Sequence, residues 1–217
     1  MVYRVYVEKK KELAHEAAAL AEDIRGLLRI TGLNEVRILN RYDVENIDKE
    51  LFDYCVGTVF SEPQLDIVTF EPEWDGYTVF AVEYLPGQFD QRADSAAQCV
   101  QIISQGERPT VRTAKVYLLS GDLDDADISK IQHHVINPVE SRLAGLGTFE
   151  TLASAFEIPE TVASITGFCE MTDDSLEKMI SEYGLAMDLD DLRFCRDYFT
   201  AEKRDPTVTE QIGRAHV

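Results

Sequence analysis

Apolar and polar residues alternate at the start of the chain, so Tyr3, Val5 and Val7 share one face of a strand predicted over residues 2–7. The period then changes. Leu13, Ala17, Leu20, Ala21, Ile24, Leu27 and Leu28 fall on one stripe of an amphipathic helix, with Thr31-Gly32 as its stop. A second strand is predicted from Val36 to Tyr42. Asp48 then stands where it can cap a helix that buries Leu51, Phe52 and Cys55. A loop rich in Pro, Glu and Asp runs from Ser61 to Gly76, and after it the same order returns. Strand 78–84 leads to a helix presenting Ala93, Ala96, Ala97, Val100 and Ile103. Strand 111–119 leads to a helix with Ile128, Ile131 and Val135.

The two runs repeat at about 75 residues, with Val36-Arg37 matching Val111-Arg112 and Tyr42 matching Tyr117. Two βαβα units that share or face their sheets, with helices outside, follow from this order. Each unit alone leaves a sheet face or edge open, so the pair should fold as one domain over residues 1–137. Asn137-Pro138 starts a less regular connector. Beyond it, Asp174–Tyr183 presents Leu176, Met179, Ile180 and Tyr183 and stops at Gly184. A second helix, Asp190–Thr200, presents Leu192, Cys195 and Phe199. Residues 138–211 therefore read as a small, mainly helical linker domain, and the fold class as α+β. Thr207 and Glu210 have capping-box spacing, yet the chain stops at Val217, too soon for a helix to repay its nucleation. Truncation is the expectation there, with residues 212–217 a non-native tail that resembles one frame of a sequencing adapter.

Charge narrows the function. The 217 residues carry 40 acidic and 21 basic side chains, a net charge of −19. Such a surface repels a phosphate backbone, so nucleic acid is not an expected partner. No long apolar run or signal peptide is present, so neither membrane spanning nor export is expected. Cys55, Cys99, Cys169 and Cys195 form no CxxC pair, which argues against a zinc knuckle or dithiol motif. Each sits in an apolar helical context and is expected to pack as a small hydrophobe in a reduced, cytoplasmic protein.

Few motifs carry chemistry. Asp122 to Asp127 is acidic like a calcium loop but lacks the central Gly and the closing Glu. Met187-Asp188-Leu189-Asp190-Asp191 resembles an acidic metal box, but Asp190 and Asp191 are better explained as helix capping and first-turn charges. His133 and His134 are adjacent on a helix and cannot pair as i, i+4 ligands, and His15 is a lone helical histidine. No Gly-rich phosphate loop, GxSxG elbow or HExxH motif occurs. The stretch Pro86-Gly87-Gln88-Phe89-Asp90-Gln91-Arg92-Ala93-Asp94-Ser95 joins a strand to a helix. Pro86-Gly87 is a turn pair, and Asp90 or Asp94 can cap the helix.

The Phe80–Cys99 stretch that contains it, taken with Asn40-Arg41-Tyr42-Asp43, Val59-Phe60-Ser61-Glu62-Pro63, Gly106 to Arg112, Tyr183 to Asp191 and Arg204-Asp205-Pro206-Thr207, resembles one family. The chain looks like the amino-terminal region of the large, single-chain phosphoribosylformylglycinamidine synthases of purine biosynthesis. The resemblance implies a front domain similar to two fused, ferredoxin-like copies of a small accessory subunit, then a linker into the synthase core. It implies a parent ligase that uses ATP, magnesium and glutamine-derived ammonia to convert N-formylglycinamide ribonucleotide to the amidine. The ATP site and the glutaminase triad lie beyond this chain in that family. No catalytic, cofactor-binding or metal-binding residue is therefore carried over. The implied partners are the synthase core and glutaminase domain of the same parent chain. Gln88, Phe89, Asp90, Gln91, Arg92 and Asp94 are the candidate interface residues. Arg204, Asp205, Thr207 and Glu210 are the candidate junction to the core. The competing expectation, from a different class, is a stand-alone ferredoxin-like module that binds a small metabolite in an interfacial cleft.

Overall fold

A computed structural model describes residues 1–153 and 161–210. The expected non-native tail at 212–217 lies outside the described residues. The chain divides into two compact units, Met1–Ser154 and Ala155–Val217.

The first unit is α+β. Its strands are β1 (Val2–Lys9), β2 (Leu33–Glu45), β3 (Asp66–Thr69), β4 (Thr78–Tyr84), β5 (Thr110–Gly121) and β6 (Ser141–Ala144). They form one sheet in the order β3-β1-β2-β5-β4-β6, with every neighbouring pair antiparallel. Its helices are α1 (His15–Gly26), α2 (Lys49–Cys55), α3 (Gln91–Ser104) and α4 (Asp125–Val135).

Alternation on the strands decides where the helices go. Val36, Ile38, Tyr42 and Val44 lie on one face of β2 and are all buried. Ile38 packs with α1 and α4 through Ala17, Ala21, Ile24 and Ile131. Tyr42 and Val44 pack with α2 and α3 through Phe52, Cys55, Ala96 and Val100. All four helices therefore cover the same face. The other face has its own apolar centre, with Tyr6, Leu39, Ala81, Val116 and Leu118 under Trp74 and Tyr77.

That second face also buries charge. Arg41 and Asp43 are almost fully shielded, and the Asp43 carboxylate faces both Arg4 and Arg41. The two guanidiniums hold successive carbonyls of the connector, Arg41 donating to Gly145 at 2.7 Å and Arg4 to Leu146 at 2.9 Å. Both also lie over the Phe149 ring, at 5.5 and 5.3 Å. Glu45 continues the seam by accepting from the Leu152 N–H.

Three expectations need correction. Helix α1 ends at Gly26, five residues before Thr31, and Leu27 is 68% exposed. Arg29 takes a left-handed φ of 58° soon after that end. Gly32 serves a close approach instead, since a Cβ there would stand 2.0 Å from the Asp122 carbonyl oxygen. Strands β3 and β6 fall within stretches read as loop and connector, and β6 pairs with β4. Cys99 is exposed rather than packed, while Cys55 and Cys195 are buried.

The second unit is mainly helical, with α5 (Asp173–Tyr183) and α6 (Leu189–Glu202) around Phe168, Leu176, Met179, Leu192, Cys195 and Phe199. Gly184 ends α5 with φ 60°, as its position demands. Tyr183, expected on the buried stripe, is 43% exposed. Asp188, rather than Asp190, caps α6, in a reciprocal box with Asp191. Among the described residues no helix is long and apolar enough to cross a membrane.

Candidate functional site

Asp90 organises the neighbourhood of the strand-to-helix stretch. One carboxylate oxygen accepts from the Ala93 N–H at 2.9 Å and caps α3. The other accepts from the Thr113 hydroxyl at 2.8 Å and the Thr113 N–H at 3.2 Å, bolting α3 to β5. Asp90 is thus committed internally. Asp94 is too, through Arg108 and Gln98. Of the six candidate interface residues, Gln88, Phe89, Gln91 and Arg92 remain at the surface. Phe89 is 70% exposed, and Gln88 donates to the Val139 carbonyl at 3.3 Å.

The cap sets Arg92 over the sheet, where its guanidinium donates to the Tyr42 hydroxyl at 3.2 Å. Beneath and beside it lies a groove of about 570 Å³. Its floor comes from the central strands, with Asn40 and Tyr42 on β2 and Thr113, Lys115 and Tyr117 on β5. Helix α3 forms one wall with Gln91, Arg92, Ser95 and Cys99. Val135, Glu140 and Ser141 close the far side. This volume is in the range of small-molecule sites.

The groove is polar in a specific way. Lys115 is paired with Glu16 from α1, and Glu83 with Arg142 at 2.8 Å. Arg92 has no carboxylate partner among the described residues. The Asn40 side-chain oxygen is buried without a hydrogen-bond partner. Burial, helped by the Glu16 carboxylate, pushes the Tyr117 phenol up to about 12, so it stays neutral. Among the described residues no histidine lines the groove, and Cys99 is its one thiol. Among the described residues no group of three or more His, Cys, Asp or Glu is placed to hold a metal ion.

Of the four candidate junction residues in the second unit, Arg204, Thr207 and Glu210 come together, while the Asp205 carboxylate turns to another loop. Thr207 and Glu210 make the reciprocal bonds of a capping box, at 2.8 Å from the Thr207 N–H and 3.3 Å from the Glu210 N–H. Arg204 pairs with Glu210 at 2.7 Å. Together with the Thr207 contacts this holds the Glu210 carboxyl down to about 2. Asp205 accepts from the Gly167 and Cys169 N–H groups, which hold it below the usual carboxylate range.

The floor residues escaped the sequence reading. Their signal was an intrusion of polar side chains, Asn40, Thr113 and Lys115, into core-facing positions of two strands that otherwise alternate cleanly. No family model matches the chain, and no curated protein matches it.

Proposed function

We propose that this chain is the amino-terminal part of a large, single-chain phosphoribosylformylglycinamidine synthase. It comprises a duplicated, accessory-subunit-like domain followed by a linker, and it docks the glutaminase domain on the synthase core. The strand register carries the proposal. A step of 75 positions takes the β1·β2 pair Val5↔Tyr42 to the β4·β5 pair Phe80↔Tyr117. The same step takes the β1·β3 pair Tyr6↔Thr69 to the β4·β6 pair Ala81↔Ala144. It also takes Asn40 to Lys115, and those two residues pair with each other across β2·β5. Two copies of a βαβαβ unit, joined edge to edge about a local two-fold axis between Asn40 and Lys115, account for all three relations.

The resemblance implies two fused copies of one small subunit, and the register relations support that reading. Antiparallel strands with helices on one side are compatible with the ferredoxin-like part of this reading. ATP, magnesium and the glutaminase chemistry belong to the parent enzyme beyond this chain. Exposed Phe89, just before the Asp90 cap, and exposed Arg92, in the first turn of α3, supply the docking surface.

The purified chain is expected neither to hydrolyse glutamine nor to turn over ATP. Robust ATP turnover would sink the proposal. In the parent enzyme, Arg92→Glu should lower glutamine-dependent activity more than activity with free ammonium. Equal losses would assign Arg92 to folding instead.

A further inference from the structure

We infer that the groove over the β2·β5 pair binds a small organic carboxylate that also carries an N–H donor, of the α-amino acid class. The inference is separate from the parent-enzyme proposal and holds for the chain by itself.

The two halves of the fold supply an internal comparison. Helix α3 repeats α1 with a step of 76 positions, since the buried residues Ala17, Ala21 and Ile24 map onto Ala93, Ala97 and Val100. That step carries Glu16 to Arg92. On the strands, the step of 75 carries Asn40 to Lys115 and Tyr42 to Tyr117. Glu16 on the first half's helix reaches Lys115 on the second half's strand, and their charges cancel. In the converse pairing, the second half's helix and the first half's strand hold Arg92 and Asn40 at the equivalent positions. The cation is present and the carboxylate that would answer it is missing.

The groove opens at that place. Arg92 spends one nitrogen on the Tyr42 hydroxyl, leaving the rest of its planar fork for a bidentate carboxylate. The Asn40 oxygen, buried and unpartnered, needs a donor. Asn40 and Tyr42 are two residues apart on one face of β2, about 7 Å along the strand. One compact molecule with a carboxylate and an ammonium can therefore meet both ends. Around these two ends the groove offers the hydroxyls of Ser95 and Tyr117, while its other charged residues are Glu140 and the already paired Lys115 and Glu83. In a chain of net charge −19, such a ligand would answer the arginine left without a carboxylate beside this polar cavity.

The test is a titration of the whole chain, read by amide NMR shifts, with L-aspartate, succinate and inorganic phosphate as probes. L-Aspartate should give saturable shifts centred on Asn40, Tyr42, Arg92 and Thr113. Succinate, which keeps both carboxylates but lacks the amine, should bind about tenfold more weakly, as expected for one lost buried hydrogen bond. Asn40→Asp supplies the missing carboxylate from the protein itself. It should abolish L-aspartate binding while the thermal midpoint holds or rises. Arg92→Gln should also abolish binding with the spectrum otherwise intact. No saturable shift at the groove with any probe overturns the inference. So does binding of phosphate alone, equal binding of succinate and L-aspartate, or L-aspartate binding that survives Asn40→Asp in a folded protein.

Discussion

Asp43 is the residue on which the helix-free face of the sheet depends most. It is fully buried between two arginines, and the pair holds the connector through the Gly145 and Leu146 carbonyls. Removing its charge leaves two guanidiniums facing each other with no anion between them. Asp43→Ala is therefore expected to cost about 3–5 kcal/mol in urea unfolding, the usual penalty for breaking a buried pair from one side. A loss under about 1 kcal/mol would mean that water enters the cluster and screens it. Desolvation already lowers the Arg41 guanidinium from its ordinary range, the direction expected of a shielded cation beside a second one. Little of this was visible in the sequence. Arg41 and Asp43 alternate with Tyr42 and Val44 as an exposed polar face would, and only the connector folding back over them makes that face an interior.

Among elements, those with a capped start were the most legible. Asp48, Asp90 and Asp124 each accept from the backbone N–H three residues on, and each helix begins where its cap allows. The missed elements, β3 and β6, are four residues long and lie at the two edges of the sheet. An edge strand is solvated on one side and carries little alternation, and Ile67 on β3 is itself half-exposed. The cap at Thr207 gives an element-scale prediction. The Glu210 carboxyl is drawn from 4.5 to about 2 by Arg204 and Thr207. A depressed carboxyl stabilises the folded form in full above its ordinary value, and this is lost as pH falls toward the folded one. The second unit should thus lose stability between about pH 4.5 and 2, and Asp205, shifted the same way, adds to the loss. Glu210→Gln should flatten the acid limb of a pH series followed by circular dichroism. An unchanged limb would remove the Arg204–Glu210 pair from any role in stability.

At the scale of the whole molecule, the repeat in register and the excess of acid pull in different directions. The register gives each half the partner strand that closes its open edge, with β2 and β5 pairing over most of their length. The net charge of −19 works against compactness by self-repulsion. Ion pairs offset part of this, but most are exposed, such as Lys49–Asp53 and Arg193–Asp190, and pairs of that kind contribute little. Added NaCl screens both effects. At about 0.1 M the Debye length is about 10 Å, so distant like charges are weakened while buried contacts such as Arg41–Asp43 are spared. Repulsion among 19 excess charges is summed over long distances, whereas each exposed pair acts only locally. Screening should therefore remove more repulsion than attraction. The thermal midpoint is expected to rise by a few degrees between low salt and about 0.5 M NaCl. A falling midpoint would show that the surface pairs act as a network strong enough to outweigh the repulsion.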